Sequence, residues 1–199
     1  MIGILGGTFD PPHNGHVALV DAALQRFRPE ALVVLVSVRP GHRRVHAPAD
    51  ARLRLAHAAF AELPGVGVEL DPSARTVDLL REGRWSDPLF LVGADELAEF
   101  PTWNKPGEVL RLARLGVATR PGYPRERLEA VIAALGRPER VELFEMPPVD
   151  ASSSEVRRRV AAGEPFAELI PEGVADLVRE LDLYRRYTGP AIGKEPTRL

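Results

Sequence analysis

The amino-acid sequence predicts an α/β protein: an open, mostly parallel twisted sheet with helices on both faces and further helices at the C-terminal end. Three observations carry this expectation. Apolar runs of strand length alternate with segments of helical periodicity, the pattern of strand, helix, strand units joined by right-handed crossovers. Residues 31–38 are apolar almost without a break, as in parallel strands buried on both faces. The first strand enters a helix through a Gly-rich turn, which aims backbone N–H groups and the positive end of a helix dipole at one spot suited to an anion.

Taken in order, Ile2, Ile4 and Leu5 leave no room for a helix before Gly6-Gly7, so a buried strand is expected. Val17, Leu19, Val20, Ala23 and Leu24 recur at helical spacing behind Asn14, a fitting N-cap. Residues 31–38 form the second strand, and residues 39–48 a polar loop carrying His42, Arg43, Arg44 and His46. An amphipathic helix over 50–63 precedes a third strand over 66–70. A short helix over 76–81 and a strand over 89–93 follow. Then come a helical piece over 108–111, a strand over 115–119, and a helix over 125–135 with Ala130, Ile132 and Leu135 inward. The last strand covers 141–144, with helices over 153–162 and 171–183. Residues 6–16, 39–46, 93–95 and Arg120 all follow strands. Open parallel sheets bind ligands beyond the carboxyl ends of their strands, so these segments are expected on one rim.

With 199 residues and 45% hydrophobic content, the chain is sized for one domain. That domain is expected over residues 1–187, with 188–199 a flexible Pro/Gly-containing tail. No apolar run of about 18 residues and no charged-then-apolar leader is present, which points to a cytoplasmic protein without a membrane partner. Zero cysteines exclude disulfides and thiolate metal sites. A net charge of -2 without an evident basic patch argues against a nucleic-acid partner. Self-association as a homo-oligomer is left open. Neither a G-x-G-x-x-G fingerprint nor a P-loop is found.

The chemistry concentrates at two places. His13 and His16 lie at the mouth of the first helix, where imidazole N–H groups can bind phosphate oxygens. Gly6, Gly7 and Gly15 let backbone and ligand approach closely. A Gly/Pro-rich turn with two solvated histidines is the plain alternative. The second place is Asp150-Ala151-Ser152-Ser153-Ser154-Glu155-Val156-Arg157. Ser152 and Glu155 match a capping box, so an ordinary helix start accounts for most of it. Arg157 stands apart, because a cation in the first turn opposes the helix dipole unless an anion lies nearby.

The full run from Gly6 to His16, Gly-Gly-Thr-Phe-Asp-Pro-Pro-His-Asn-Gly-His, resembles the H-x-G-H motif of the nucleotidyltransferase superfamily, in the form carried by bacterial nicotinate mononucleotide adenylyltransferases. Residues 151–157 are similar to that family's I-S-S-T-x-[IV]-R element, with Ala151 and Ser154 replacing the usual Ile and Thr. Residues 73–80 resemble S-x-T-[VI]-D-x-L, residues 93–97 G-x-D-x-L, residues 100–103 F-x-x-W, and residues 120–123 R-P-G-Y. Each of these looser elements also has a plain reading: Thr76 as an N-cap, Asp95 as a cap after a strand, Trp103 as a core or surface aromatic. One element departs. Relatives carry P-P-H-K after the second strand, whereas residues 39–46 read Arg-Pro-Gly-His-Arg-Arg-Val-His. The only lysines are Lys105 and Lys194, so Arg43 or Arg44 is the candidate replacement.

The resemblance covers about residues 1–184 and implies a Rossmann-like nucleotidyltransferase fold that moves AMP from ATP to nicotinate mononucleotide. It implies His13, His16 and Arg157 as catalytic, and Gly6, Gly7, Thr8, Phe9, Gly15, Gly93, Asp95, Ser152, Ser153 and Ser154 as ATP-binding. Thr76 and Trp103 would take the nicotinate ring and carboxylate. Arg120, with Arg43 or Arg44, would take the acceptor phosphate. Mg²⁺ would arrive with ATP, held by phosphates and waters rather than by a carboxylate cage. A zinc site from His13, His16, His42 and His46 lacks a supporting ligand set, so no dedicated metal is expected. Nicotinamide mononucleotide or phosphopantetheine as acceptor, or a non-catalytic nucleotide sensor, are the alternatives.

Overall fold

The computed structural model describes residues 1–41, 44–119 and 122–189. Six strands form one sheet: β1 (Ile2–Gly7), β2 (Ala31–Ser37), β3 (Val66–Asp71), β4 (Leu89–Gly93), β5 (Arg114–Thr119) and β6 (Val141–Glu145). Their order is β3-β2-β1-β4-β5-β6, and every neighbouring pair is parallel. The chain steps outward from β1 to β3, then returns to β4 on the other side of β1. Strand order therefore reverses between β1 and β4, and a crevice opens there beyond the strand ends.

Successive side chains of a strand point to opposite faces, and both faces are covered. Leu5 and Leu91 pack with α1 (Asn14–Phe27), α2 (Ala49–Phe60), α7 (Ser153–Ala162) and α8 (Glu172–Glu180), through residues such as Val20, Leu55, Val156 and Val174. Ile4 and Phe90 pack with α3 (Thr76–Arg81), α4 (Ala94–Glu99), α5 (Pro106–Leu112) and α6 (Arg125–Ala133), through Val77, Leu97, Val109 and Leu128. This two-sided burial accounts for the absence of polar side chains from residues 31–36.

Several expectations need correction. Residues 94–99, where the plain reading of the sequence offers only Asp95 as a cap after a strand, are helical. Gly93 is the N-cap, and its N–H donates to Glu96 Oε2 at 3.2 Å. Ala130 is exposed, and α6 faces inward through Leu128. Leu128, Ile132 and Leu135 share one stripe, whereas Ala130 lies two residues from Leu128 and so on the far side. The last helix ends at Glu180, not residue 183, and Asp182 and Tyr184 then take left-handed φ angles of 53° and 66°. Of the expected tail, residues 190–199 lie outside the described residues.

Candidate active site

The Gly-rich turn is built around two histidines that cap their own helix. His13, not Asn14, is the N-cap of α1. Its Nδ1 accepts the Gly15 N–H at 3.1 Å, and His16 Nδ1 accepts the His13 N–H at 3.1 Å. The pair forms a capping box in which imidazoles replace the usual Ser and Glu. An Nδ1 that accepts a hydrogen bond carries no proton, so both rings are neutral and hold their hydrogen on Nε2. His16 keeps part of its surface exposed. Burial of its ring, and then the neighbouring His13, nonetheless push its pKa well below the ordinary 6.5. The ring centroids lie 3.8 Å apart.

The glycines serve this packing. A Cβ on Gly7 would come within 2.9 Å of the Phe9 ring, and one on Gly15 within 2.9 Å of His13 Nδ1. At Gly6 it would meet Phe90 at 3.2 Å. Phe9 is buried at a left-handed φ of 48° and stands edge-on to His16 at 5.1 Å. The Cβ side of these glycines is thus filled by the protein's own rings.

The serine cluster meets this loop directly. Ser152 caps α7, its side chain accepting the Glu155 N–H at 3.2 Å. The Glu155 carboxylate turns to Arg158 and Arg159 instead of closing the box, and they hold its pKa down at about 2. Ser153 Oγ donates to the Pro11 carbonyl at 2.7 Å. Arg157 donates from Nη1 to the Asp10 carbonyl at 2.5 Å and from Nη2 to Ser154 Oγ at 3.1 Å. It lies in the second turn of α7, not the first, where opposition to the dipole is weaker. The N-termini of α1 and α7 therefore meet, two positive dipole ends with hydroxyls, imidazoles and a guanidinium between them.

Beside them, over the ends of β1 and β2, lies a cavity of ≈ 590 Å³. Gly7, Thr8, Arg39, Arg75, Thr76 and Trp103 are among its lining residues; the histidines and serines are not. Trp103 is fixed edge-on to Phe90 at 6.3 Å and tilted against Phe100 at 5.2 Å. Thr76 is the first residue of α3, whose N-cap is Arg75, so it is not the cap. Gly93 and Asp95 do not line the cavity. Asp95 Oδ1 fills the space where a Gly93 Cβ would stand, 2.6 Å away. Arg44 is not among the lining residues either. Arg43 and Arg120 lie outside the described residues.

Sequence reasoning missed three residues that hold the loop. Asp10 is buried, and its carboxylate accepts the N–H groups of His46 at 2.6 Å and Ala47 at 3.1 Å and the Tyr184 hydroxyl at 2.9 Å. Burial, then the Asp10 charge, raise the Tyr184 pKa. Arg52 is buried and donates to the carbonyls of Ala47, Thr8 and Ser37. Its phase was the available signal, because Arg52, Leu55, Ala56 and Ala59 share the apolar stripe of α2. An acid inside an anion-binding turn was the signal at Asp10: it must be turned inward and neutralised by donors.

Comparison with known proteins agrees with this architecture. The Cytidylyltransferase-like family model matches residues 4–159. A Chlorobaculum parvum protein named "Probable nicotinate-nucleotide adenylyltransferase" is 37% identical, covering 92% of this chain and 98% of its own. A Rubrobacter xylanophilus protein of the same name is 34% identical, covering 92% of each. The Plasmodium falciparum nicotinic acid mononucleotide adenylyltransferase complexed with NaAD superposes with a TM-score of 0.78 at 16% identity, over 94% of this chain and 98% of that one, which speaks for the fold. With a family model over residues 4–159 and relatives of 34–37% identity spanning 92% of the chain, the chain belongs to the nicotinate-nucleotide adenylyltransferases of the cytidylyltransferase-like family.

Proposed function

We propose that this protein transfers AMP from ATP to nicotinate mononucleotide, giving nicotinate adenine dinucleotide and pyrophosphate. The observation that carries this reading is the junction of two helix N-termini, tied by the Ser153–Pro11 and Arg157–Asp10 hydrogen bonds, beside a separate cavity large enough for a mononucleotide. One region is rich in anion donors and the other carries an aromatic platform. The division suits a triphosphate and an acceptor meeting at their shared edge, Gly7 and Thr8.

The chemistry needs no general base. The acceptor phosphate, with a second pKa of about 6, is largely dianionic near neutral pH and already a nucleophile. Its oxygen attacks the α-phosphorus of ATP in line. That P–O bond forms as the bond to the bridging oxygen of the β-phosphate breaks, and pyrophosphate leaves carrying the electron pair. The protein holds two anions together and stabilises charge on the reacting group. His13 and His16 supply Nε2–H donors and, being neutral, act by hydrogen bonding rather than as general acids. Arg157, the hydroxyls of Ser153 and Ser154 and the amides of α7 take the leaving phosphates. Gly6, Gly7, Thr8, Phe9 and Gly15 shape the ATP side, as do Gly93 and Asp95 at the end of β4. Thr76 and Trp103 take the nicotinate ring, and Arg43 or Arg44 with Arg120 the acceptor phosphate.

ATP enters as its Mg²⁺ complex. The one carboxylate in the turn, Asp10, is turned to protein donors, so phosphates and water would hold the ion. Among the described residues no helix is long and apolar enough to cross a membrane, and the cytoplasm, with its ATP supply, is the proposed place of action. Pyrophosphate release tests the reading. ATP with nicotinate mononucleotide is expected to give pyrophosphate and dinucleotide in equal amounts. Release only with nicotinamide mononucleotide or phosphopantetheine, or none with any acceptor, would overturn it.

A further inference from the structure

Two tyrosines beyond α8 reach into the phosphate site from the far end of the chain, and the proposed activity assigns them nothing. Tyr184 is buried and donates its hydroxyl to Asp10 Oδ1 at 2.9 Å. Tyr187 lays its ring 4.9 Å from the Arg157 guanidinium carbon and edge-on to His46 at 4.7 Å. The contacts close a circuit. Asp10 accepts the His46 N–H through its side chain and Arg157 Nη1 through its carbonyl. His46 and Arg157 both face the Tyr187 ring. Among the described residues Arg157 Nε is buried without a hydrogen-bond partner, and two hydrogen bonds and an aromatic face hold the guanidinium.

We propose that the segment after α8 is a positioning element of the ATP site, Tyr184 fixing the Thr8–His13 turn through Asp10 and Tyr187 fixing the plane of the Arg157 guanidinium. The inference rests on the proposed function only in naming ATP as the ligand. An aromatic face restricts a guanidinium to orientations parallel or edge-on to the ring and leaves its N–H fork free for oxygen atoms. The Tyr184 hydroxyl is one of three donors to a buried carboxylate, so its loss leaves that group short of a partner and loosens the turn carrying His13. Neither tyrosine needs to touch substrate. Both act through residues that do.

The test is binding of an ATP analogue with a methylene bridge between the α- and β-phosphorus, measured calorimetrically on the full chain, beside Kd for nicotinate mononucleotide and the thermal midpoint. Tyr184→Phe, which removes one oxygen, is expected to weaken the analogue by about tenfold, the scale of a hydrogen bond to a charged group, and acceptor binding by much less. Tyr187→Ala is expected to weaken the analogue several-fold, and Tyr187→Phe, which keeps the ring, to recover most of that loss. Unchanged analogue affinity in both Tyr184→Phe and Tyr187→Ala overturns the proposal, as does an equal loss for both ligands. If Tyr184→Phe fails to fold, the Tyr187 pair still decides. Wild-type protein that binds the analogue but transfers nothing to nicotinate mononucleotide would defeat the functional reading and leave this one standing.

Discussion

Replacing Gly15 by Ala separates the placement of His13 from the stability of α1. A Cβ at this position stands 2.9 Å from His13 Nδ1 and 3.0 Å from Cε1. The imidazole must retreat by about half an ångström to reach ordinary contact, and the Nδ1 to Gly15 hydrogen bond is strained or lost. The cap is worth about 1 kcal/mol. Ala in place of a helical Gly returns roughly 0.5–1 kcal/mol. The two nearly cancel, so the thermal midpoint should move by only a few degrees. Activity has no such compensation: displacing a positioned group by a fraction of an ångström to one ångström costs up to about 10²-fold. The assay is kcat/KM by pyrophosphate release beside thermal unfolding, with imidazole ¹⁵N shifts reporting the His13 tautomer. Wild-type kcat/KM in Gly15→Ala, with the His13 tautomer changed, would refute the idea that the capping geometry serves catalysis.

His16→Ala should lower turnover by roughly 10²- to 10³-fold, the cost of one preorganised donor, while far-ultraviolet circular dichroism stays native; near-normal turnover contradicts its role. Acidity acts through the same ring. His16 binds a proton more weakly folded than unfolded, where its value is 6.5. The unfolded chain therefore holds more protons between that value and the lowered one, and stability rises with pH across this window. Denaturation midpoints should fall as pH drops below 6.5, and His16→Gln should flatten that slope; an unchanged slope argues against the shift. Trp103→Ala should raise KM for the acceptor several-fold and leave KM for ATP near wild type, because the ring lines only the cavity. Arg52→Met leaves the carbonyls of Thr8, Ser37 and Ala47 without this donor and should cost about 2–3 kcal/mol, at about 1 kcal/mol for each carbonyl and less where water can reach it, read by urea denaturation.

Local patterns were legible where one physical rule acted alone. Burial on both faces made residues 31–38 read as a central strand, and Gly93 marked the end of β4. The serines before Val156 announced the start of α7, which begins at the expected residue 153. Where two rules competed, the sequence misled. Residues 94–99 were hidden because the Gly93–Glu96 cap looks like part of a binding motif. His13 was passed over as a cap because imidazole is an unusual capping group, whereas Asn14 is a common one. Gly7 and Gly15 also hold Phe9 and His13 close on their Cβ sides, a packing role that the spacing of the glycines does not announce. For Asp10 and Arg52 the sequence signals burial but not the partner, and for Tyr184 it signals neither. His46 lies 36 residues from Asp10, Thr8 lies 44 from Arg52, and Asp10 lies 174 from Tyr184, and no local pattern encodes pairings at such separations.

The central claim is that the two helix N-termini grip one triphosphate between them. A crystal structure with a non-reacting ATP analogue tests it most directly. The account predicts phosphate oxygens within hydrogen-bond distance of His16 Nε2 and of the Ser153 or Ser154 hydroxyl in the same complex. A triphosphate bound to only one of these groups, or seated wholly in the cavity beside Trp103, would contradict it.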